Sequence, residues 1–182
     1  MTWDYSLAPG DTNVRKLWEN GAHQYLCPGV QGWNQTIHLL DIAYENIKKM
    51  ASFAHQFDGE GLLTTDWGDY GHLQHPELAL VGIIYGAAFG WNSKIPEREE
   101  INADISVIEY GDRSATLIEI ISEMSNQAVM HWGELVQFSE TYRYQIAGKD
   151  MDTFWKGYLP RIETSLPHIV ECNETIRNDM AK

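Results

Sequence analysis

The sequence predicts an α/β fold whose first half is built from βα units and whose second half is helical. Three observations carry this reading. Short β-prone runs alternate three times with helical segments over residues 1–92. The connections that follow those runs are rich in Gly, Trp and Asp. After Pro96 no strand pattern returns. Such alternation reads as parallel strands joined by right-handed crossovers, with helices outside. Two regions are therefore expected, 1–92 and 93–182, with a hinge near 92–97.

The elements follow in order. "MTWDYS" is a short β-like run, and "APGDTN" supplies turn chemistry with Thr12 or Asn13 as the N-cap of "VRKLWENGA". Gly21 stands where a left-handed residue would end that helix. "HQYLCPGV" reads as a second strand stopped by Pro28 and Gly29. Ile37, Leu40, Tyr44, Ile47, Ala51 and Ala54 then recur at spacings of three and four, which predicts a helix ended by Asp58-Gly59. "GLLTTDW" is the third strand. The helix after it runs from Pro76 to about Trp91, with proline near its first turn, and is apolar nearly all round, so it is expected to be buried.

In the second half, "EREEINADISVIEYG" reads as a short helix ending at Gly111. Ser114 is expected to start a longer one, striped by Leu117, Ile121, Met124, Ala128 and Leu135. A last helix starts near Asp150, with bends expected at Pro160 and Pro167.

Composition narrows the function. With 13 Lys+Arg against 26 Asp+Glu, the formal charge is -13, a poor match for nucleic acid or anionic lipid. A neutral or cationic ligand is easier to accommodate. Aromatics reach 12%, with seven Trp and nine Tyr, which suits a bulky core or a site that stacks on sugar rings. Cys27 and Cys172 are too far apart in number and pattern for a disulfide framework or zinc motif and read as buried free thiols. No apolar run reaches the length of a membrane span, and no basic start precedes an apolar segment. The expected location is cytoplasmic; were the chain a piece of a secreted parent, its own start would say nothing about targeting.

In parallel α/β folds, ligands bind at the C-terminal ends of the strands. Each of the three runs carries a tryptophan at or beyond that end: Trp3, Trp33 and Trp67. That coincidence favours the rim of a site over a set of turns. Asp4, Asp66 and Asp69 lie near the same ends. A suitably spaced carboxylate pair can hydrolyse a glycosidic bond; capping and loop hydrogen bonding are the plainer roles for each. His72 and His75 form an H-x-x-H pair, but Pro76 places them in a loop and no further ligand has matching spacing, so no metal and no cofactor are expected. Phosphate-cradling, dinucleotide and nucleophile-elbow motifs are absent from the sequence.

"DWGDYGH", Asp66 to His72, resembles the W-G-E-Y segment at the end of the eighth barrel strand in family 20 glycoside hydrolases, the β-N-acetylhexosaminidases. "VRKLWENGAHQYLCPGVQGWN" is similar to that fold's helix and seventh strand, and "MTWDYS" to its sixth strand, in matching order. The likeness covers roughly residues 1–92; the rest resembles the helical C-terminal extension of some bacterial members, a less specific signal. The resemblance implies a partial (β/α)8 TIM barrel of about three C-terminal βα units, followed by an all-helical region. It implies that Trp67 stacks on an N-acetylhexosamine ring, that Asp69 bonds its outer hydroxyls in place of the usual Glu, and that Trp3 lines the wall near the acetamido group. At the seventh-strand tip, Gln31, Trp33 and Asn34 stand where the family usually has a Tyr and an Asp.

The family's catalytic Asp-Glu pair belongs to the fourth strand, so no catalytic residue is expected here. A full barrel takes about 250 residues. The expected function is thus that of a glycosidase's C-terminal portion, supplying a wall for a terminal amino sugar and inactive alone. The expected partners are that carbohydrate and either a second copy or the missing N-terminal part. The rival is a non-catalytic carbohydrate-binding or interaction module; the plainest alternative is a structural domain with tryptophans in its core.

Overall fold

The structure is a computed structural model and describes residues 1–69, 72–92, 94–144 and 151–181. Its first half is α/β. Strand β1 (Thr2–Trp3), helix α1 (Thr12–Glu19), β2 (Tyr25–Cys27), α2 (Leu40–Gln56), β3 (Gly61–Leu62) and α3 (Leu78–Trp91) follow in order. The three strands form one parallel sheet in the order β1-β2-β3. Thr2 pairs with Leu26, Trp3 with Cys27, and Leu26 with Leu62. The strands are shorter than the runs that predict them. The β2–β3 ladder nevertheless continues beyond them, through Thr65 N–H to Pro28 O (2.8 Å) and Val30 N–H to Thr65 O (2.9 Å). This extension aligns the two loops that carry Trp33 and Trp67.

Side chains alternate across the sheet as pleating requires. Leu26 is buried and Leu62 half-buried, both facing the helices, where they pack with Met50, Phe53 and Phe57 of the α2 region and Val14 of α1. Trp3, Tyr25 and Leu63 face the other way and are exposed. Leu26 and Leu62 therefore lie on the helix-covered face of the sheet, and Leu63 on the other.

Helix α1 ends in a Schellman motif: Gly21 has φ 72°, and Ala22 N–H reaches back to Leu17 O at 3.0 Å. Its N-cap is Asp11 rather than Thr12 or Asn13, and the Asp11 carboxylate pairs with Arg15 instead of capping. Helix α2 ends in the same way, with Asp58 left-handed at φ 47° and Gly59 N–H bonded to Ala54 O at 2.8 Å. The α2 stripe is as expected except at Ile37. The helix starts only at Leu40 because Leu39 leaves helical geometry and donates its N–H to Gln31 O, in the loop after β2.

The second half is helical among its described residues: α4 (Arg98–Ile108), α5 (Leu117–Ser125), α6 (Trp132–Tyr144) and α7 (Met151–Met180). The main core runs across the expected 92/93 boundary. Tyr44 and Ile47 of α2 and Tyr85 and Phe89 of α3 pack with Ile101, Ile105 and Ile118 of α4 and α5. Polar contacts reinforce the junction. Arg98 pairs with Asp41 of α2 and with Glu119 of α5, while Ser122 and Asn126 also donate to Asp41. Burial alone would raise the Asp41 pKa, but these bonds and the Arg98 charge outweigh it and hold the carboxyl below its usual range.

The single helix expected from Ser114 through Leu135 is two helices. Helix α5 starts at Leu117, with Thr116 rather than Ser114 at its N-cap position; the Asp112 carboxylate secures the turn before it by accepting the N–H groups of Ser114, Thr116 and Leu117. Hydrogen bonding, from Ser114 first, lowers the Asp112 pKa to about 2. The helix stops after Ser125; the backbone N–H groups of Asn126, Gln127 and Ala128 still bond back to it, and the chain then reaches toward the loop after β2. His131 meets the Gln35 side chain, and Trp132 N–H donates to Asn34 O at 2.6 Å. Helix α7 is continuous through Pro160 and Pro167. Asp150, its expected start, lies outside the described residues, as does Ser93 in the expected hinge.

Candidate functional site

The segments that follow the three strands converge on one open cavity of about 570 Å³. Trp3, Tyr5, Trp33 and Trp67 supply its aromatic walls, and Asp69 is the carboxylate in its lining. Cys27, Leu63 and Thr65 form its floor, on the sheet side that no helix covers among the described residues. Trp3 and Trp67 stay 62% and 47% exposed, so neither is a core residue.

The walls are braced against one another. The Tyr5 hydroxyl accepts a hydrogen bond from Trp67 Nε1 at 2.7 Å. The Tyr5 ring meets Trp33 at 4.8 Å between centroids, tilted by 60°, a geometry aromatic pairs favour. Gly29 makes room for both rings, because a Cβ there would lie 2.7 Å from Trp33 and 3.0 Å from Tyr5. Sequence reasoning missed Tyr5. Its signal was parity with Trp3: two residues further along an extended run, it falls on the same side.

Behind the walls stands Asn46, fully buried on α2. Its Nδ2 donates to the carbonyls of Asp4 and Ser6 at 2.8 Å each, and its Oδ1 accepts Gly29 N–H at 3.2 Å. One side chain thus ties the loop after β1 to the loop after β2. Its sequence signal was an asparagine in the apolar phase of α2, between Ala43 and Ile47.

Gln31 and Asn34 lie outside the cavity lining, on either side of Trp33. Both are left-handed, at φ 61° and 58°, conformations that non-glycine residues adopt only where the surroundings impose them. Gln31 is held by its side chain, which donates to Tyr5 O at 2.8 Å, and by its carbonyl, which accepts Leu39 N–H. Asn34 is held through its carbonyl by Trp132 of α6. Trp33 is therefore aimed by a strained, pinned loop.

The structure brings Trp3, Trp33, Trp67 and Asp69 together; Gln31 and Asn34 shape the loop instead. Tyr70 and Gly71 of the same motif lie outside the described residues. Asp4 takes the plainer role, its carboxylate accepting the Ser6 N–H at 2.9 Å and hydroxyl at 2.7 Å. Burial raises the Asp66 pKa, with His72 opposing. His72 pairs with Gln74 at 2.9 Å, and no cluster of three metal-ligating side chains occurs among the described residues. A smaller cavity of about 350 Å³ lies between α5 and α7, lined by Glu123, His168, Glu171 and Cys172, without aromatic walls. No helix among the described residues is long and apolar enough to cross a membrane.

No family model, curated protein or solved structure matches the chain. Geometry and chemistry therefore carry the functional argument.

Proposed function

We propose that the cavity binds a sugar ring, and that the chain contributes this wall to a glycosidase of the family 20 type acting on a terminal amino sugar. The convergence of Trp3, Trp33 and Trp67 on one exposed cavity with Asp69 at its edge carries the reading. Flat indole faces suit the apolar faces of a pyranose, and a carboxylate accepts hydrogen bonds from its hydroxyls. The formal charge of -13 is compatible with a neutral or cationic sugar. Among the described residues, the cavity lining holds Asp69 but no second carboxylate at which a glycosidic bond could be cleaved. The chain is thus a binding wall, and its chemistry depends on groups beyond it. A non-catalytic carbohydrate-binding module is the second reading, favoured by that same missing partner.

Calorimetric titration with N-acetylglucosamine, glucosamine and glucose tests the common claim. At least one should bind, and Trp67→Ala should weaken it by about tenfold or more, the scale of a lost stacking contact. The purified chain should not turn over aryl N-acetylhexosaminides. Absence of binding at millimolar sugar would sink both readings. Turnover abolished by Asp69→Asn would show that the chain carries its own catalysis.

A further inference from the structure

Two cavity tryptophans each adjoin a glycine, and over each glycine lies a histidine ring. Gly32 precedes Trp33, and a Cβ built on it would lie 2.3 Å from His38 Nε2. Gly68 follows Trp67, and a Cβ there would lie 2.9 Å from His72 Nε2. Cβ atoms do not approach that closely, so a side chain at either position would have to displace the imidazole that packs there. Neither histidine lines the cavity.

The two rings differ in setting: His72 is exposed at the surface, whereas His38 is not. His38 is fully buried, with hydrogen-bond partners at neither ring nitrogen among the described residues. Burying a polar ring unpaired is unfavourable, and an apolar residue would avoid it. His72 is fixed from the other side by Gln74, itself 4% exposed, whose Nε2 lies 2.9 Å from His72 Nδ1. The imidazoles are near enough that charge on His72 opposes charge on His38. Gly32 and His38 come from the loop after β2, Gly68 and His72 from the loop after β3.

We propose that His38 and His72 are positioning residues: by packing on Gly32 and Gly68 they set the angles at which Trp33 and Trp67 face the cavity, without touching the ligand. This rests on the reading that the cavity takes a sugar. Each ring packs on the backbone one residue from an indole and so holds that backbone in place.

The test uses the full chain with ¹⁵N-labelled indoles, N-acetylglucosamine as probe, and thermal melts as the stability control. Gly68→Ala changes an exposed loop position, so the melting temperature should stay within a degree or two. The Trp67 indole proton, held by Tyr5, should exchange with water several-fold faster, and affinity for the sugar should fall about tenfold. Gly32→Ala should shift the Trp33 indole resonance with a similar loss. His72→Ala added to Gly68→Ala should cost no further affinity, because both changes break one contact. Unchanged indole signals in both glycine variants would overturn the proposal, as would additive losses in the pair or affinity losses that track melting temperature. If the unaltered chain binds none of the probe, the sugar reading fails, and the exchange rates of the unliganded chain still decide whether the histidines position the indoles.

Discussion

Tyr5 joins two walls of the cavity, accepting a bond from Trp67 and packing on Trp33. Residues like this decide whether three tryptophans form a site or three unrelated surface rings. At this scale the sequence showed the cavity-lining groups better than the groups behind them. Trp3, Trp33, Trp67 and Asp69 were legible because strand ends in a parallel sheet point one way. Tyr5, Asn46 and His38 were not, because their roles depend on contacts 26 to 62 residues away in the chain, or on a glycine that leaves space. His38 also makes a testable demand on pH. Burial first, and His72 second, lower its pKa from 6.5 to about 4. Between those values the unfolded chain takes up a proton that the folded chain refuses, so stability is full above pH 6.5 and falls as pH drops toward 4. The loss amounts to at most about 3 kcal/mol. Thermal melts from pH 7 to 4 should therefore decline less steeply in His38→Phe than in the unaltered chain. Parallel declines would mean that His38 does not titrate in this window.

At the scale of elements, α3 shows where pattern reading stops. Its residues are apolar on all sides, which predicts burial all round. The structure buries Val81, Tyr85 and Phe89 but leaves Leu80, Ile83 and Trp91 exposed, Trp91 at 90%. Composition records which residues can be buried, not which neighbours exist to bury them. The same limit explains the split of the helix expected from Ser114 to Leu135. Its periodic stripe was real, but Asn126, His131 and Trp132 found partners on α2 and the loop after β2. The glycines of α3 are better understood in three dimensions. Gly82 lies against Val30, and a Cβ on Gly86 would fall 1.9 Å from Thr64 Oγ1. Helix α3 thus sits directly behind the strand-end segments leading to Trp33 and Trp67. Gly86→Ala should overpack this contact and destabilise the fold by about 1–3 kcal/mol. A urea midpoint equal to that of the unaltered chain would show that Thr64 yields without cost.

For the whole molecule, the uncovered side of the sheet sets the open question. The helices α4 and α5 pack on α2 and α3, on the far side from Trp3, Tyr25 and Leu63, which remain exposed. Among the described residues the helical region does not cover that face. Strand edges at β1 and β3 are likewise without a further strand there, a liability in water. Association of two copies about a twofold axis is the remedy we expect. Light scattering on a gel-filtration peak should give about twice the 20.8 kDa chain mass at micromolar concentration. A monomer would mean that the face tolerates exposure. The α/β class and the parallel order were legible from the alternation of strand and helix. The sharing of one core across residue 92 was not, since it rests on side-chain volumes meeting between α2, α3, α4 and α5.

The sugar wall can be tested residue by residue through the indole N–H resonances of the seven tryptophans. Titration with N-acetylglucosamine, glucosamine or glucose should shift the signals of Trp3, Trp33 and Trp67, which line the cavity, and leave those of Trp18, Trp91, Trp132 and Trp155 in place. Stationary cavity signals at millimolar sugar, or shifts confined to the other four, would contradict it.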